Sequence, residues 1–430
     1  MISGPTSNPR PFAYQDGILC CDDVPLPALV GEHGTPLYVY SQQHVLARLQ
    51  LFERAFADVP HTVCFAVKSN SSLALLRLLA EQGTGFDIVS GGELERVQRA
   101  APGALARTVF AGVGKQAWEI DAALQAAEGA SILLFNVESE AELALLAGRA
   151  EELQIPARFS LRVNPDVFAE THPYISTGLS AHKFGVEFTH ARGLYGSAAR
   201  SPWLIPTGIS VHIGSQIRAV DPFGAALERV ATLVRELRGD GIPLTHIDAG
   251  GGLGIEYGEA PFDPAAAVDA YACQIKRAIG SLGMHLLLEP GRFLIAQAGA
   301  LITRVLHVKQ NAGKTFVITD AGMNDLIRPS LYSAHHTIVP VAQPQNSTSS
   351  KVDVVGPVCE SGDFFARDRA MPATEPGDLL AILDAGAYGM TLASNYNTRP
   401  RPPEVLVDRA SARLTRRRET MDDMLATEVL

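Results

Sequence analysis

Lys68 closes the apolar run Thr62-Val63-Cys64-Phe65-Ala66-Val67-Lys68-Ser69-Asn70, and an amine at the end of a buried strand is a candidate for covalent chemistry. Lysine is rarely buried unless it is paired or modified. A Schiff base to a carbonyl cofactor would consume the amine and account for its position. A lysine that snorkels out at the strand end is the commoner explanation of such a run read alone. Three further runs carry groups of chemical interest: His212-Ile213-Gly214-Ser215-Gln216, Gly250-Gly251-Gly252-Leu253-Gly254-Ile255 and Glu289-Pro290-Gly291-Arg292. They offer an imidazole, a glycine loop and an acid–arginine pair. Glycines at a strand-to-helix turn let backbone N–H groups approach a phosphate. The run matches neither the Walker A pattern nor a full Gly-x-Gly-x-x-Gly, so a plain tight turn explains the glycines equally well.

The elements that must position these groups repeat as a β-rich run, a polar or glycine-containing end and a helical stretch, which is the pattern of βα units and a parallel sheet. Candidate strands are Thr62 to Val67, Gly85 to Val89, Thr108 to Ala111, Ile132 to Val137, Phe159 to Val163, Gly208 to Ile213, His246 to Ala249 and His285 to Leu288. Helical spacing covers Ser71 to Glu81, Glu93 to Ala100, Glu138 to Gln154 and Pro222 to Arg238. The expectation is an α/β fold, a (β/α)8 TIM-type barrel, with Lys68, Asp87, Asn136, Asn164, His212 and Glu289 converging on its catalytic mouth. The connection from Asn164 to about Pro206 is too long for a bare βα unit; it contains the run from Thr171 to Gly178 and His182-Lys183-Phe184-Gly185, a candidate lid. After Arg292, shorter β-rich segments punctuated by Pro and Gly point to a second, all-β domain: Leu301 to Lys309, Thr315 to Thr319, Val352 to Val355 and Leu379 to Ala385. Val341 to Lys351 reads as an exposed loop, the first eight or so residues as a loose tail, and Arg416-Arg417-Arg418 as a solvated helix face.

With 47% apolar and 19% charged residues, the 430-residue chain can bury two domain cores, and disorder is not the default. A formal net charge of -10 without a long Lys/Arg tract argues against nucleic acid as a partner. No apolar run is long enough to span a bilayer, and the first residues lack a basic start followed by an apolar block, so a cytoplasmic protein with no membrane partner is expected. Cys20, Cys21, Cys64, Cys273 and Cys359 are odd in number, scattered and without Cys-x-x-Cys spacing, which indicates neither a disulfide framework nor a metal site. No role is assigned to Cys20-Cys21.

Several motifs, in order along nearly the whole chain, resemble the diaminopimelate decarboxylases, pyridoxal-phosphate enzymes of the alanine-racemase-like fold and the group IV decarboxylase family. They are Ala66 to Asn70, Phe86-Asp87-Ile88-Val89-Ser90-Gly91-Gly92-Glu93-Leu94, Arg162 to Asp166, the His172 to Gly178 loop and His212 to Gln216. Further along come Glu289 to Arg292, Arg328-Pro329-Ser330-Leu331-Tyr332, Val358-Cys359-Glu360-Ser361-Gly362-Asp363 and Asp384 to Met390. The resemblance implies an N-terminal segment, residues 1–41, packing with the β domain; a pyridoxal-phosphate-binding barrel over 42–292; and a β domain with a C-terminal helix over 293–430. It implies that Lys68 holds the cofactor, that Glu289 faces the pyridine nitrogen and that His212 stacks on the ring. Ser215, Gly251, Gly252 and Gly291 would hold the phosphate, and Asp87 would shape the mouth. Arg292, Arg328 and Tyr332 would take a substrate carboxylate, Glu360 an ammonium, and Tyr388 both substrate and phosphate. Cys359 would give the proton to Cα, in the active site of the opposite subunit of a homodimer.

The implied reaction converts meso-2,6-diaminopimelate to L-lysine and CO2, the last step of lysine biosynthesis. Such a substrate has an amino-acid group at each end, so a bidentate arginine and an anionic ammonium partner suit its non-reacting end. A decarboxylase of ornithine, arginine or carboxynorspermidine would have no distal carboxylate for Arg328 and Tyr332 to grip. A racemase of this fold would carry arginine, not glutamate, at the ring nitrogen. An inactive paralogue has no need of Lys68, His212, Glu289 and Cys359 together. The family more often has alanine where Ser69 follows the lysine, a small-for-small exchange.

Overall fold

The computed structural model describes residues 10–126, 131–167, 183–258, 260–344 and 348–430. It forms two compact units, one of Leu49–Ile255 with Pro264–Arg292, the other of Met1–Arg48, Glu256–Asp263 and Phe293–Leu430.

In the first unit the parallel strands are His61–Ala66, Gly85–Ile88, Thr108–Phe110, Leu134–Val137, Ala157–Asn164, Leu204–Ser210, His246–Asp248 and His285–Leu288. They pair in chain order, and the pairing of Leu286 with His61 closes them into an eight-stranded TIM-type barrel. Strands covered on both faces read as continuous apolar runs rather than alternating ones; Val63, Cys64 and Phe65 are at most 1% exposed. Helices Leu73–Glu81, Gly91–Ala100, Glu140–Leu153 and Asp221–Gly239 form where the apolar spacing placed them, and Ala117–Leu124, Phe188–Ala198 and Pro264–Ile279 join them.

Asp221–Gly239 shows the logic of the helical layer. Phe223, Leu227, Val230, Val234 and Leu237 recur every three or four residues and are all buried. The Phe223 ring meets Tyr271 of Pro264–Ile279 edge-on at 4.8 Å. Burying each such side chain contributes about 1.5–3 kcal/mol. The starts of Gly91–Ala100 and Glu140–Leu153 are capped by Ser90 and Ser139, whose hydroxyls accept from the N–H of Glu93 at 3.2 Å and Glu142 at 3.1 Å. Losing either cap would cost about 1 kcal/mol.

Of the long connection after Asn164, the run from His172 to Gly178 and His182 lie outside the described residues. The described remainder holds the two-residue strand Val186–Glu187, which pairs with Val163 and Asn164, and then Phe188–Ala198. No described helix is long and apolar enough to cross a membrane.

The second unit is sheet-rich. Its main sheet runs in the order Phe364–Pro372, Ser349–Val355, Lys314–Thr319, Gly299–Asn311, Leu37–Ser41, Glu404–Asp408, Ser411–Arg416, with Leu379–Ile382 and Ile338–Pro340 attached beside Gly299–Asn311. The chain-early strand Leu37–Ser41 is thus central, antiparallel to Gly299–Asn311 and parallel to Glu404–Asp408. Leu19, Leu26, Val39, Ile302, Ala381 and Val407 share its core.

Two expectations change here. Arg416-Arg417-Arg418 is not a helix face: Ser411–Arg416 is a hairpin strand on Glu404–Asp408, and the helix starts only at Met421. Each arginine has its own acceptor, Arg416 the buried Glu404 carboxylate at 2.8 Å, Arg417 the Asp423 carboxylate, and Arg418 the carbonyl of Pro36 at 2.8 Å. Val341 is buried, and Ser349 to Lys351 already belong to a strand, so the exposed loop is shorter than its composition suggested.

Candidate active site

Lys68 lies in a single 3-10 turn, Val67–Ser69, directly after His61–Ala66. Its Nζ donates to Asp87 Oδ2 at 2.6 Å; the lysine side chain is 36% exposed and the aspartate 0%. The contact is built by register, since Ala66 pairs with Asp87 on the adjacent strand. Asp87 Oδ1 is buried and has no hydrogen-bond partner among the described residues.

His212 lies beyond the end of Leu204–Ser210, which stops earlier than the expected Ile213. Burial, with Arg162 and Lys68 adding their charge, pushes the imidazole well below its ordinary pKa. The ring is therefore neutral, and its Nδ1 accepts from the Gly251 N–H at 3.2 Å. A neutral flat ring is suited to cover the face of an aromatic ligand.

The glycines are required by space. A Cβ on Gly251 would lie 2.1 Å from the Glu289 carbonyl oxygen, and one on Gly252, at φ +106, would lie 2.2 Å from that of Gly214. A Cβ on Gly291 would press on Ala66 and Ser69 at 3.0 Å. Beside this cradle the Arg292 guanidinium donates to Ser215 Oγ at 3.0 Å.

Glu289 follows His285–Leu288 and is buried, as is Asp248 at the end of the neighbouring strand. Asp248 accepts from Asn136 Nδ2 at 2.7 Å and from the Gly250 N–H at 2.9 Å, while the same Asn136 nitrogen is 3.4 Å from Glu289 Oε1. The Ser160 hydroxyl donates to Asn136 Oδ1, which fixes the amide so that its nitrogen faces the acids. Burial, then Asp248 and Asp87, raise the Glu289 carboxyl well above its ordinary range. Burial also raises Asp248, against the hydrogen bonds it accepts. Two buried acids in contact do not both ionise, so the pair shares a proton, and Asp248, whose charge is met by the Asn136 amide and the Gly250 N–H, leaves it on Glu289.

A second set joins Glu138 and Lys115 to residues already named in the sequence motifs. Glu138 accepts from Arg162 at 3.0 Å and from the N–H groups of Gly112 at 3.0 Å and Gly185 at 3.1 Å. The Arg162 guanidinium lies 4.8 Å from the centre of the Phe184 ring. Phe184-Gly185, from the expected lid, is thus held to the ends of two barrel strands. Lys115, buried, donates to Glu142 and to the carbonyls of Gly112 and Asn136 at 2.7 to 2.8 Å. Asn164 accepts from the Asp166 N–H at 3.1 Å and shapes its own turn.

In the sheet-rich unit Arg328 opens the short helix Arg328–Tyr332, and Ser330 of that helix donates to the carbonyl of Gly362. This brings the helix next to the turn that carries Cys359 and Glu360, both exposed. The Cys359 N–H donates to Asn397 Oδ1 at 2.8 Å, and buried Asp363 organises the turn by accepting from Val358 at 2.7 Å and Met323 at 2.6 Å. Tyr388 is half-buried at a left-handed φ of 55. Sequence reading missed His336 and Tyr257, which flank Arg328, and Asp248, Ser160 and Glu138 in the barrel, and gave Arg162 of its motif no role. The signal for Asp248 was an acid inside an otherwise apolar strand, two residues before the glycine run.

The barrel residues fit pyridoxal phosphate. A lysine amine held by one acid suits its aldehyde, a neutral imidazole its ring face, and a protonated buried acid its basic nitrogen. The glycine cradle that no Cβ could enter, with Ser215 and Arg292 beside it, supplies donors for a phosphate. Residues 42–296 match the family model described as pyridoxal-dependent decarboxylase, pyridoxal binding domain. The protein named diaminopimelate decarboxylase in Neisseria meningitidis serogroup A is 48% identical over 96% of this chain and 99% of its own length. The solved diaminopimelate decarboxylase of Helicobacter pylori, complexed with L-lysine, is 42% identical, covers 93% of this chain and 98% of that one, and superimposes with a TM-score of 0.87. That of M. jannaschii, also in complex with L-lysine, is 36% identical over 99% of both chains with a TM-score of 0.91. The chain belongs to the diaminopimelate decarboxylase family of pyridoxal-dependent decarboxylases.

Proposed function

We propose that this chain decarboxylates meso-2,6-diaminopimelate to L-lysine and CO2. The observation that carries the reading is a lysine, a buried glutamic acid and a glycine cradle at successive barrel strand ends, in a chain matched almost end to end by decarboxylases of that substrate. When bound, pyridoxal phosphate supplies a ring that accepts the electron pair left on Cα as CO2 departs.

The chain's own residues do the rest. Lys68 would hold the cofactor through its amine, which Asp87 positions by accepting from Nζ at 2.6 Å. His212 would cover one ring face and keep water from it. Glu289 would face the ring nitrogen and hold a proton there, its carboxyl group favouring the charged form of the ring. Ser215, Gly251, Gly252, Gly291 and Arg292 bind the phosphate. Arg292, Arg328 and Tyr332 grip carboxylate, Glu360 the distal ammonium, and Tyr388 both substrate and phosphate. Cys359 gives its proton to Cα. Cys359 and Glu360 act in the partner subunit of a homodimer, in the cytoplasm. The domain division intended by this reading is 1–41, 42–292 and 293–430.

The test is incubation of the purified protein and pyridoxal phosphate with meso-diaminopimelate, LL-diaminopimelate, ornithine or arginine, measuring CO2 and amine products. Lysine from the meso isomer alone is the expected result. Product only from ornithine or arginine would overturn the distal-carboxylate assignment.

A further inference from the structure

We infer that His336 is a positioning residue for substrate recognition: a neutral imidazole that aims the Arg328 guanidinium without cancelling its charge. This deepens the proposed function and rests on Arg328 as the ligand of the distal carboxylate.

The geometry fixes the tautomer. His336 Nδ1 lies 2.8 Å from the Leu383 carbonyl oxygen, which can only accept, so the proton is on Nδ1. Nε2 then presents a lone pair, and Arg328 NH1 donates to it at 2.9 Å. The imidazole is fully buried and its frame is rigid. Arg369 donates to the His336 carbonyl at 2.9 Å, and the Leu383 N–H donates to the Thr337 carbonyl at 2.9 Å. The Tyr257 ring covers the guanidinium at 4.6 Å and packs edge-on against the imidazole at 5.6 Å. Asp384, next in the chain to Leu383, is held at both oxygens by Arg10 at 2.8 Å and also feels the Arg328 charge.

An acid in place of His336 would orient Arg328 equally well and neutralise it. A neutral acceptor does not itself neutralise the guanidinium, and the planar fork favours two-point recognition of a substrate carboxylate. Loss of the acceptor should therefore weaken binding of the non-reacting end and spare the chemical step.

The experiment compares His336→Leu, which fills the space without an acceptor, with His336→Gln, whose amide oxygen can take the place of Nε2. Steady-state kinetics use meso-diaminopimelate and the holoenzyme, with unfolding midpoints recorded for each variant. The leucine variant is expected to raise KM about tenfold, as for a lost hydrogen bond to a charged group, with kcat changed less than about twofold. The glutamine variant should recover most of that loss, which a purely structural role would not predict. In an Arg328→Ala background the leucine change should add less than about twofold, because its target is gone. If the leucine variant does not fold, His336→Met serves in its place. A wild-type KM for the acceptor-free variant, or equal losses for it and the glutamine variant, overturns the positioning role. An unchanged KM in Arg328→Ala instead overturns the substrate-site reading beneath it.

Discussion

Replacing Glu289 by glutamine removes the group that holds a proton inside the barrel while keeping its shape and its ability to donate to Asp248. Burial first, then Asp248 and Asp87, raise this carboxyl well above its ordinary value of 4.5. A group whose folded pKa is raised binds more protons folded than unfolded. Its carboxylic-acid form therefore favours folding at low pH, and that contribution is lost as pH climbs from the unfolded pKa towards the folded one. One such group removes about 1.4 kcal/mol of stability per pH unit over the range between its unfolded and its folded pKa. Glu93, pushed up to about 7 by burial, adds a slope of the same sign in the barrel, so the quantity to read is the difference between wild type and Glu289→Gln. Both tryptophans, Trp118 and Trp203, belong to the barrel unit, so their fluorescence reports its urea unfolding in cofactor-free protein. The glutamine variant is expected to gain on wild type as pH rises through this range. Parallel stability curves for the two would refute the shared proton and the role drawn from it.

Lys68→Ala should abolish both the visible absorbance of bound cofactor and activity; turnover at the wild-type rate would remove this lysine from the mechanism. Cys359→Ala should keep the absorbance and lose roughly 10²- to 10⁴-fold in kcat, the range for a general acid, and unchanged turnover would assign the proton elsewhere. Gly251→Ala forces a Cβ to 2.1 Å from the Glu289 carbonyl oxygen. It should lower the urea midpoint by the equivalent of about 1–3 kcal/mol and weaken cofactor binding in an absorbance titration, and wild-type values for both would show that the cradle relaxes freely.

The barrel strands were legible because burial on both faces leaves apolar runs with polar ends, a local property of sequence. The exception is instructive. Leu204–Ser210 starts four residues before the expected Gly208, because Pro206 has no N–H for the ladder and argues against a strand; the chain accommodates it with a register shift between Pro206 and Gly208. Charge runs misled for a related reason. Arg416 to Arg418 suggested a solvated helix, but their acceptors include Glu404 and the Pro36 carbonyl, brought near only by the hairpin and the central position of Leu37–Ser41.

The same distinction separates the two halves of the cofactor site. A lysine ending an apolar strand is conspicuous because the cost of burying its charge follows from its immediate neighbours. The protonation state of Glu289 does not follow from its neighbours in the chain. It depends on Asp248 and on an Asn136 amide 153 residues away, oriented in turn by Ser160. His336 repeats the pattern. As one of two adjacent histidines it has no distinguishing spacing, and it acquires meaning only when the Leu383 carbonyl, 47 residues on, fixes its tautomer and turns its lone pair towards Arg328. Residue types at strand ends can therefore say which groups meet a ligand. Which of them carry a proton or keep a charge is decided by partners that only the fold supplies.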